Sequence, residues 1–148
     1  MPPLKILLVE DNPDDEALAL RALKKSEIVS SVDVVRDGQE ALDYMFHKGA
    51  YQSLNQTDTP CVVLLDIQLP KMNGIDVLRN IRNNEKTALI PVVLLTSSDE
   101  ERDMLDGYKA GANSYINKPV DFNAFVEQIK MLGNYWLGVN KTPHIHHA

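Results

Sequence analysis

The chain has 148 residues, 44% of them hydrophobic and 24% charged, which fits one globular domain with a sizeable core. The formal net charge of −6 argues against a general nucleic-acid or anionic-membrane binder, because either surface favours a basic patch. The single cysteine, Cys61, leaves no disulfide framework, and no apolar run has the length of a signal or membrane-spanning segment, so we expect a cytoplasmic protein.

Short apolar runs alternate with segments of helix length along the chain. The runs predict five strands, at residues 5–9, 32–35, 61–65, 92–95 and 114–116, with Cys61 buried in the third. Uninterrupted Val, Ile and Leu runs are typical of parallel strands that are covered on both faces. Helices between such strands form right-handed βαβ units, so the pattern predicts an α/β sandwich.

Helix signals lie between the predicted strands. Asn12, followed by proline and three acidic residues, predicts the start of the first helix. Apolar residues at helical spacing predict another over residues 74–83, and Ser98 with Glu101 has the spacing of a capping box. Asp121 is expected to cap the last helix, whose apolar stripe comprises Phe122, Phe125, Val126, Ile129 and Leu132.

Polar residues follow four of the five predicted strands. Glu10 and Asp11 come after the first strand, Asp66 after the third, Thr96 after the fourth and Lys118 just past the fifth. Open α/β sheets bind ligands outside the carboxyl ends of their strands. If the strands are parallel, these five residues converge there.

Three converging carboxylates repel one another, which favours a divalent cation between them, and oxygen-only ligands suit Mg²⁺. An aspartate with one oxygen free accepts a phosphoryl group as an acyl phosphate. Lys118 and Thr96 then supply the charge and the hydroxyl that such a transfer needs. Asp11 considered alone could equally cap a helix, and Asp14 and Asp15 are interpreted as first-turn helix charges.

Four stretches in order, "VEDN", "LLDIQLPKMNG", "LLTSS" and "YINKP", resemble the receiver domain of two-component response regulators over residues 4–132. The resemblance implies the flavodoxin-like fold, a doubly wound five-stranded parallel sheet of order 2-1-3-4-5 with five helices. That order is one of the common arrangements of doubly wound sheets. The resemblance also implies a cis peptide bond between Lys118 and Pro119.

The same resemblance assigns roles to individual residues. Asp66 would be the phosphorylated residue, and Lys118 would contact the phosphoryl group. Thr96 and Tyr115 would form the switch pair, in which the hydroxyl moves to the phosphoryl oxygen and the ring turns inward. Mg²⁺ would be bound by Glu10, Asp11, Asp66 and the main-chain carbonyl of Gln68.

A receiver domain over residues 1–132 leaves a C-terminal extension at 133–148, which has an aromatic segment and then a His-containing tail that we expect to be disordered. The chain resembles the single-domain regulators that accompany cyanobacterial phytochrome-type kinases. The resemblance implies a sensor histidine kinase as donor, a downstream protein rather than DNA as target, and a homodimer formed by the last helix and its aromatic tail. Such a phosphoacceptor is not a turnover enzyme.

Three other functions remain as alternatives. The chain could relay its phosphoryl group to another histidine, or be a pseudo-receiver scaffold that never accepts one. A phosphatase of the haloacid dehalogenase type also combines an aspartyl nucleophile, Mg²⁺, Thr or Ser and Lys. That class needs a second aspartate two residues after the nucleophile, where this chain has Gln68.

Overall fold

The structure is a computed structural model that describes residues 4–27, 29–53, 59–96, 101–118 and 122–134. The strands are Leu4–Val9 (β1), Val29–Val35 (β2), Val62–Asp66 (β3), Val92–Thr96 (β4) and Ser114–Asn117 (β5). The helices are Pro13–Ser26 (α1), Gly38–Phe46 (α2), Gly74–Arg82 (α3), Glu101–Lys109 (α4) and Phe122–Asn134 (α5), with a 3-10 turn at Gly49–Tyr51. No helix in these ranges is long and apolar enough to cross a membrane.

The five strands form one parallel sheet in the order β2-β1-β3-β4-β5, which confirms the predicted fold. Val9 pairs with Val35 on one side and with Leu65 on the other, so β1, β2 and β3 end side by side. At the other end of the order, Thr96 pairs with Asn117. The carboxyl ends of the strands therefore meet at one edge.

Apolar side chains fill both faces of the sheet, which explains the uninterrupted apolar runs. Strand β3 shows the division, because Val63 and Leu65 lie on the face covered by α2 and α3, while Val62 and Leu64 lie on the face covered by α1 and α5. The predicted stripe on α5 contributes Phe125, Val126 and Ile129 to the second face.

The structure confirms the predicted start of α1 and corrects the predicted start of β2. The Asn12 cap is confirmed, since its side chain accepts hydrogen bonds from the amides of Asp14 and Asp15. Strand β2 begins at Val29 rather than residue 32, because Val29 pairs with Leu4 and Ser31 with Lys5, across a register shift between Leu4 and Lys5. The two serines interrupt the apolar pattern from which the start was predicted. The predictions for Ser98, for Asp121 and for the Lys118–Pro119 bond lie outside the described residues.

The prediction that Cys61 is a buried strand residue is wrong. Cys61 is exposed and precedes β3, and its amide donates to the carbonyl of Lys5 at 2.8 Å. The residue is apolar enough to extend the run that follows it, but the buried part of the strand begins one residue later, at Val62.

The start of α3 is packed tightly against the end of β3. A Cβ atom added at Gly74 would lie 2.1 Å from the carbonyl oxygen of Asp66 and 2.8 Å from the Cα atom of Ile67. The Gly74 amide donates to the Ile67 carbonyl at 2.8 Å, and the Asn73 side chain caps the helix by accepting from the amide of Ile75. Only glycine permits this approach, which fixes the main chain at Asp66.

We therefore expect Gly74→Ala to lower the free energy of unfolding by about 2–4 kcal/mol, because the new methyl group meets rigid backbone. Gly107→Ala is the comparison variant, and we expect a smaller loss there, because its Cβ would meet a terminal methyl group of Leu94 at 2.5 Å rather than backbone and alanine favours the helix. Urea denaturation of both variants measures the difference. An unchanged free energy of unfolding in Gly74→Ala would show that the close approach at Gly74 does not constrain the fold.

Candidate functional site

The centre of the candidate site is the ammonium group of Lys118, which follows β5 directly. Its Nζ atom lies 2.7 Å from Glu10 Oε1, 2.8 Å from Asp66 Oδ2 and 2.8 Å from Asp15 Oδ2. These carboxylates come from the end of β1, the end of β3 and the first turn of α1. A lysine ammonium has three N–H donors, so three carboxylates satisfy it fully.

The main chain orients the two buried carboxylates independently of Lys118. The amide of Asn12 donates to Glu10 Oε2 at 3.2 Å, and the amide of Gln68 donates to Asp66 Oδ1 at 3.0 Å. The Glu10 amide in turn donates to the Val35 carbonyl of β2 at 3.0 Å. Each carboxylate thus directs one oxygen to the backbone and the other to Lys118.

Glu10, Asp11 and Asp66 form an acidic cluster whose ligand oxygens all lie within 4.8 Å of one another. Glu10 and Asp66 are buried and Asp11 is exposed, so the cluster opens to solvent on one side. Fully ionised, these three groups with Asp15 and Lys118 carry a formal charge of −3, four carboxylates (−4) plus one ammonium (+1). An oxygen-only set with excess negative charge fits a hard divalent cation.

The protonation of the site follows from burial and from these contacts. The pKa of Glu10 is raised to about 7, with burial as the largest cause; Asp66 also raises this pKa, and the Lys118 ammonium opposes the rise. Burial alone would lower the pKa of Lys118, but its hydrogen bonds to Asp15, Asp66 and Glu10 raise it above the ordinary value. Lys118 therefore remains an ammonium group at neutral pH.

The other predicted site residues lie on β4, on β5 and in the loop that follows β3. Thr96 is the last residue of β4, and its backbone is paired with that of Asn117, next to Lys118. Tyr115 is half-buried and packs against the core beneath α2 and α3. Gln68 is exposed in the loop that follows β3. The ends of β3 and β4 thus place Gln68 and Thr96 at the same edge of the sheet as Lys118, while Tyr115 lies within β5, three residues before Lys118.

Asp15 is a site residue that the sequence interpretation missed. It does lie in the first turn of α1, as expected, and its amide donates to Asn12 Oδ1 at 3.1 Å. Its carboxylate, however, contacts Lys118, which is 103 residues away in sequence. The available signal was that α1 starts within a few residues of the end of β1, so its first turn lies over the same edge of the sheet.

Residues 6–130 match the response regulator receiver domain family. The chain belongs to this family. The phosphatase alternative is thereby set aside, because receiver domains are signalling proteins rather than classical enzymes.

Two curated relatives span most of this receiver domain. FilR2, a probable methanogenesis regulatory protein of Methanothrix harundinacea, is 39% identical over 142 residues, which cover 95% of this chain and 88% of FilR2. Response regulator Rcp1 of Synechocystis is 35% identical over 136 residues, which cover 92% of this chain and 90% of Rcp1.

Two crystal structures share the fold. The phosphorylated cyanobacterial phytochrome response regulator RcpA has a TM-score of 0.85 and 35% identity, covering 96% of this chain and 99% of its own. The Mn²⁺-bound form of Rcp1 has a TM-score of 0.82 and 33% identity, covering 95% of this chain and 99% of its own. One relative is thus known with a phosphoryl group and another with a divalent cation, and the acidic cluster of this chain is consistent with divalent metal binding.

The raised pKa of Glu10 predicts a pH dependence of stability in the metal-free protein. The ordinary value is 4.5 and the folded value about 7, so between them the folded protein binds a proton that the unfolded chain does not. Acidification from pH 8 to pH 5 should therefore add about 2 kcal/mol to the free energy of unfolding through this group.

Glu10→Gln has no carboxyl group to take up this proton, so acidification should no longer raise its free energy of unfolding in this way. The control Glu85→Gln changes an exposed carboxylate and should keep the pH dependence of the wild type. Urea denaturation in EDTA at pH 5 and pH 8 measures both. The same pH dependence in wild type and Glu10→Gln would contradict the assignment.

Proposed function

We propose that this receiver domain is a phosphorylation-activated signalling switch in which Asp66 accepts a phosphoryl group from a sensor histidine kinase. The observation that carries the proposal is the position of the Asp66 carboxylate, which is buried at the end of β3, held by a backbone amide and in contact with Lys118 at 2.8 Å. Membership of the family supports the reaction type.

Mg²⁺ is the proposed cofactor, held by Glu10, Asp11, Asp66 and the main-chain carbonyl of Gln68. When bound, it neutralises the carboxylates and polarises the phosphoryl oxygens. Two features of the cluster support this choice: its side-chain ligand atoms are all oxygens, and these oxygens lie within 4.8 Å of one another. The Mn²⁺-bound structure of Rcp1 supports the choice of a divalent cation.

In the proposed reaction, a carboxylate oxygen of Asp66 forms a bond to phosphorus while the N–P bond of the donor phosphohistidine breaks. The imidazole leaves with that electron pair and takes up a proton. Lys118 donates a hydrogen bond to a phosphoryl oxygen, and Thr96 supplies a hydroxyl.

The proposed output is a change at the face that carries Tyr115. The phosphoryl group adds charge at the end of β3, Thr96 moves toward it, and the half-buried Tyr115 ring turns inward. The Thr96 and Tyr115 assignment rests on the family pattern, supported by the adjacency of β4 and β5. We further propose that residues 1–132 form the switch and residues 133–148 an extension.

The kinase is proposed to be of the phytochrome type, acting in the cytoplasm on a single-domain regulator. The similarity to RcpA and Rcp1 over nearly their whole lengths supports this. A downstream protein then receives the signal by contact. Transfer onward to a second histidine is the alternative output, and a scaffold that is never phosphorylated is the alternative without chemistry.

The first prediction of the proposal concerns phosphorylation itself. Incubation with acetyl phosphate and Mg²⁺ should add one phosphoryl group to the wild type, detected by intact-mass spectrometry. Asp66→Asn should remain unmodified, because an amide is a poor nucleophile, whereas Asp14→Asn, which changes an exposed carboxylate nearby, should be modified as in the wild type.

The control without Mg²⁺ should show no increment. Because a short-lived acyl phosphate can escape detection, binding of the stable mimic beryllofluoride is measured in parallel. Absence of both the increment and beryllofluoride binding in the wild type would refute the switch and leave the scaffold.

We also propose that the chain forms a homodimer through α5 and the aromatic segment that follows it. Met131 on α5 is 64% exposed, the largest exposed fraction among the large apolar side chains of the described residues. Three apolar residues, Tyr135, Trp136 and Leu137, follow in the sequence and extend the same apolar character.

Met131→Glu should shift the sedimentation coefficient from dimer to monomer, because it places a charge in the interface. The matched control is Met104→Glu on α4, at 37% exposure, which should sediment as the wild type does. Deletion of residues 134–148 should also weaken association. A dimer that survives both the deletion and Met131→Glu would place the interface elsewhere.

A further inference from the structure

We propose that Asp15 is a positioning residue that holds the Lys118 ammonium toward the outside of the acidic cluster, and so leaves Glu10 and Asp66 available to a divalent cation. The inference rests on the proposed function through its metal site. It concerns a residue outside the acidic cluster, since the carboxylates within 4.8 Å of one another do not include Asp15.

The geometry places Lys118 between two unlike environments. On one side are the carboxylates of Glu10 and Asp66, which are 2% and 4% exposed, and on the other is that of Asp15, which is 39% exposed. The three contacts are equally short, at 2.7 to 2.8 Å. Asp15 therefore takes one of three donors that would otherwise point toward the buried pair.

The first turn of helix α1 fixes the position of Asp15 beside Lys118. The side chain of Asn12 accepts hydrogen bonds from the amides of Asp14 and Asp15, at 2.9 and 3.1 Å, which fixes the first turn. The Asn12 amide also donates to Glu10 Oε2 at 3.2 Å. The same residue thus orients both Glu10 and the turn that carries Asp15.

Lys118 and a divalent cation neutralise the same two buried carboxylates, so they compete for them. Without Asp15, the ammonium is shared by fewer carboxylates and contacts Glu10 and Asp66 more strongly. A cation then has to displace Lys118 from stronger ion pairs with Glu10 and Asp66. Asp15 also adds attraction of its own, and this through-space contribution has to be separated from the positioning effect.

The test is Mg²⁺ titration of the full chain by calorimetry at fixed ionic strength. Asp15→Asn should weaken Mg²⁺ binding by about three- to tenfold. Asp14→Asn removes the same charge from the same turn, where the side chain is exposed, and should weaken it by less than about twofold. Asp15→Glu keeps a carboxylate and should restore most of the affinity.

A second background tests whether the effect passes through Lys118. When they are introduced into the Lys118→Met variant, Asp15→Asn and Asp14→Asn should weaken Mg²⁺ binding equally, because no ammonium remains to be held. If this variant does not fold, Lys118→Gln serves the same purpose. A larger effect of Asp15→Asn than of Asp14→Asn in this background would overturn the inference.

Equal effects of the two variants in the wild-type background would also overturn it, while leaving the proposed function intact. Failure of the wild type to bind Mg²⁺ is a different outcome, because it removes the metal site of the proposed function and the inference together. Asp66 phosphorylation, measured by mass spectrometry, separates these cases independently of the titration.

Discussion

The ion pairs between Lys118 and the buried carboxylates of Glu10 and Asp66 are the interaction on which the site depends. Two carboxylates buried side by side cannot both stay ionised without a positive charge, and removal of one partner from such a group typically costs about 3–5 kcal/mol. The raised pKa of Glu10, caused first by burial, indicates that the Lys118 ammonium does not fully offset the burial of this carboxylate. A further positive charge beside Glu10 would therefore stabilise its ionised form.

The parallel sheet is what brings these groups together. Glu10 and Asp66 stand at the ends of the neighbouring strands β1 and β3, and Lys118 follows β5, one strand beyond β4. Antiparallel pairing would have put alternate strand ends at opposite edges. Rigid anchoring adds to this, because the approach of Gly74 to the Asp66 carbonyl fixes the main chain from which the carboxylate projects.

Much of this arrangement was predictable from the sequence, because strand ends and apolar runs are local signals. Asp66 and Lys118 were found as polar residues that terminate such runs, and the strand order followed from family resemblance. The predictions that failed depend on tertiary packing rather than on the local sequence. Cys61 looked like part of a strand but precedes its buried portion, and the contact of Asp15 with Lys118 depends on how a helix lies over a sheet edge.

The number of donors on Lys118 links metal binding to phosphorylation in the proposed reaction. All three N–H groups are used by Glu10, Asp15 and Asp66, so a phosphoryl oxygen gains a donor only when one carboxylate gives it up. A buried carboxylate that loses its donor needs another positive charge, and a cation in the acidic cluster supplies it. The requirement for Mg²⁺ would then reflect this exchange of partners as well as the neutralisation of the incoming phosphoryl group.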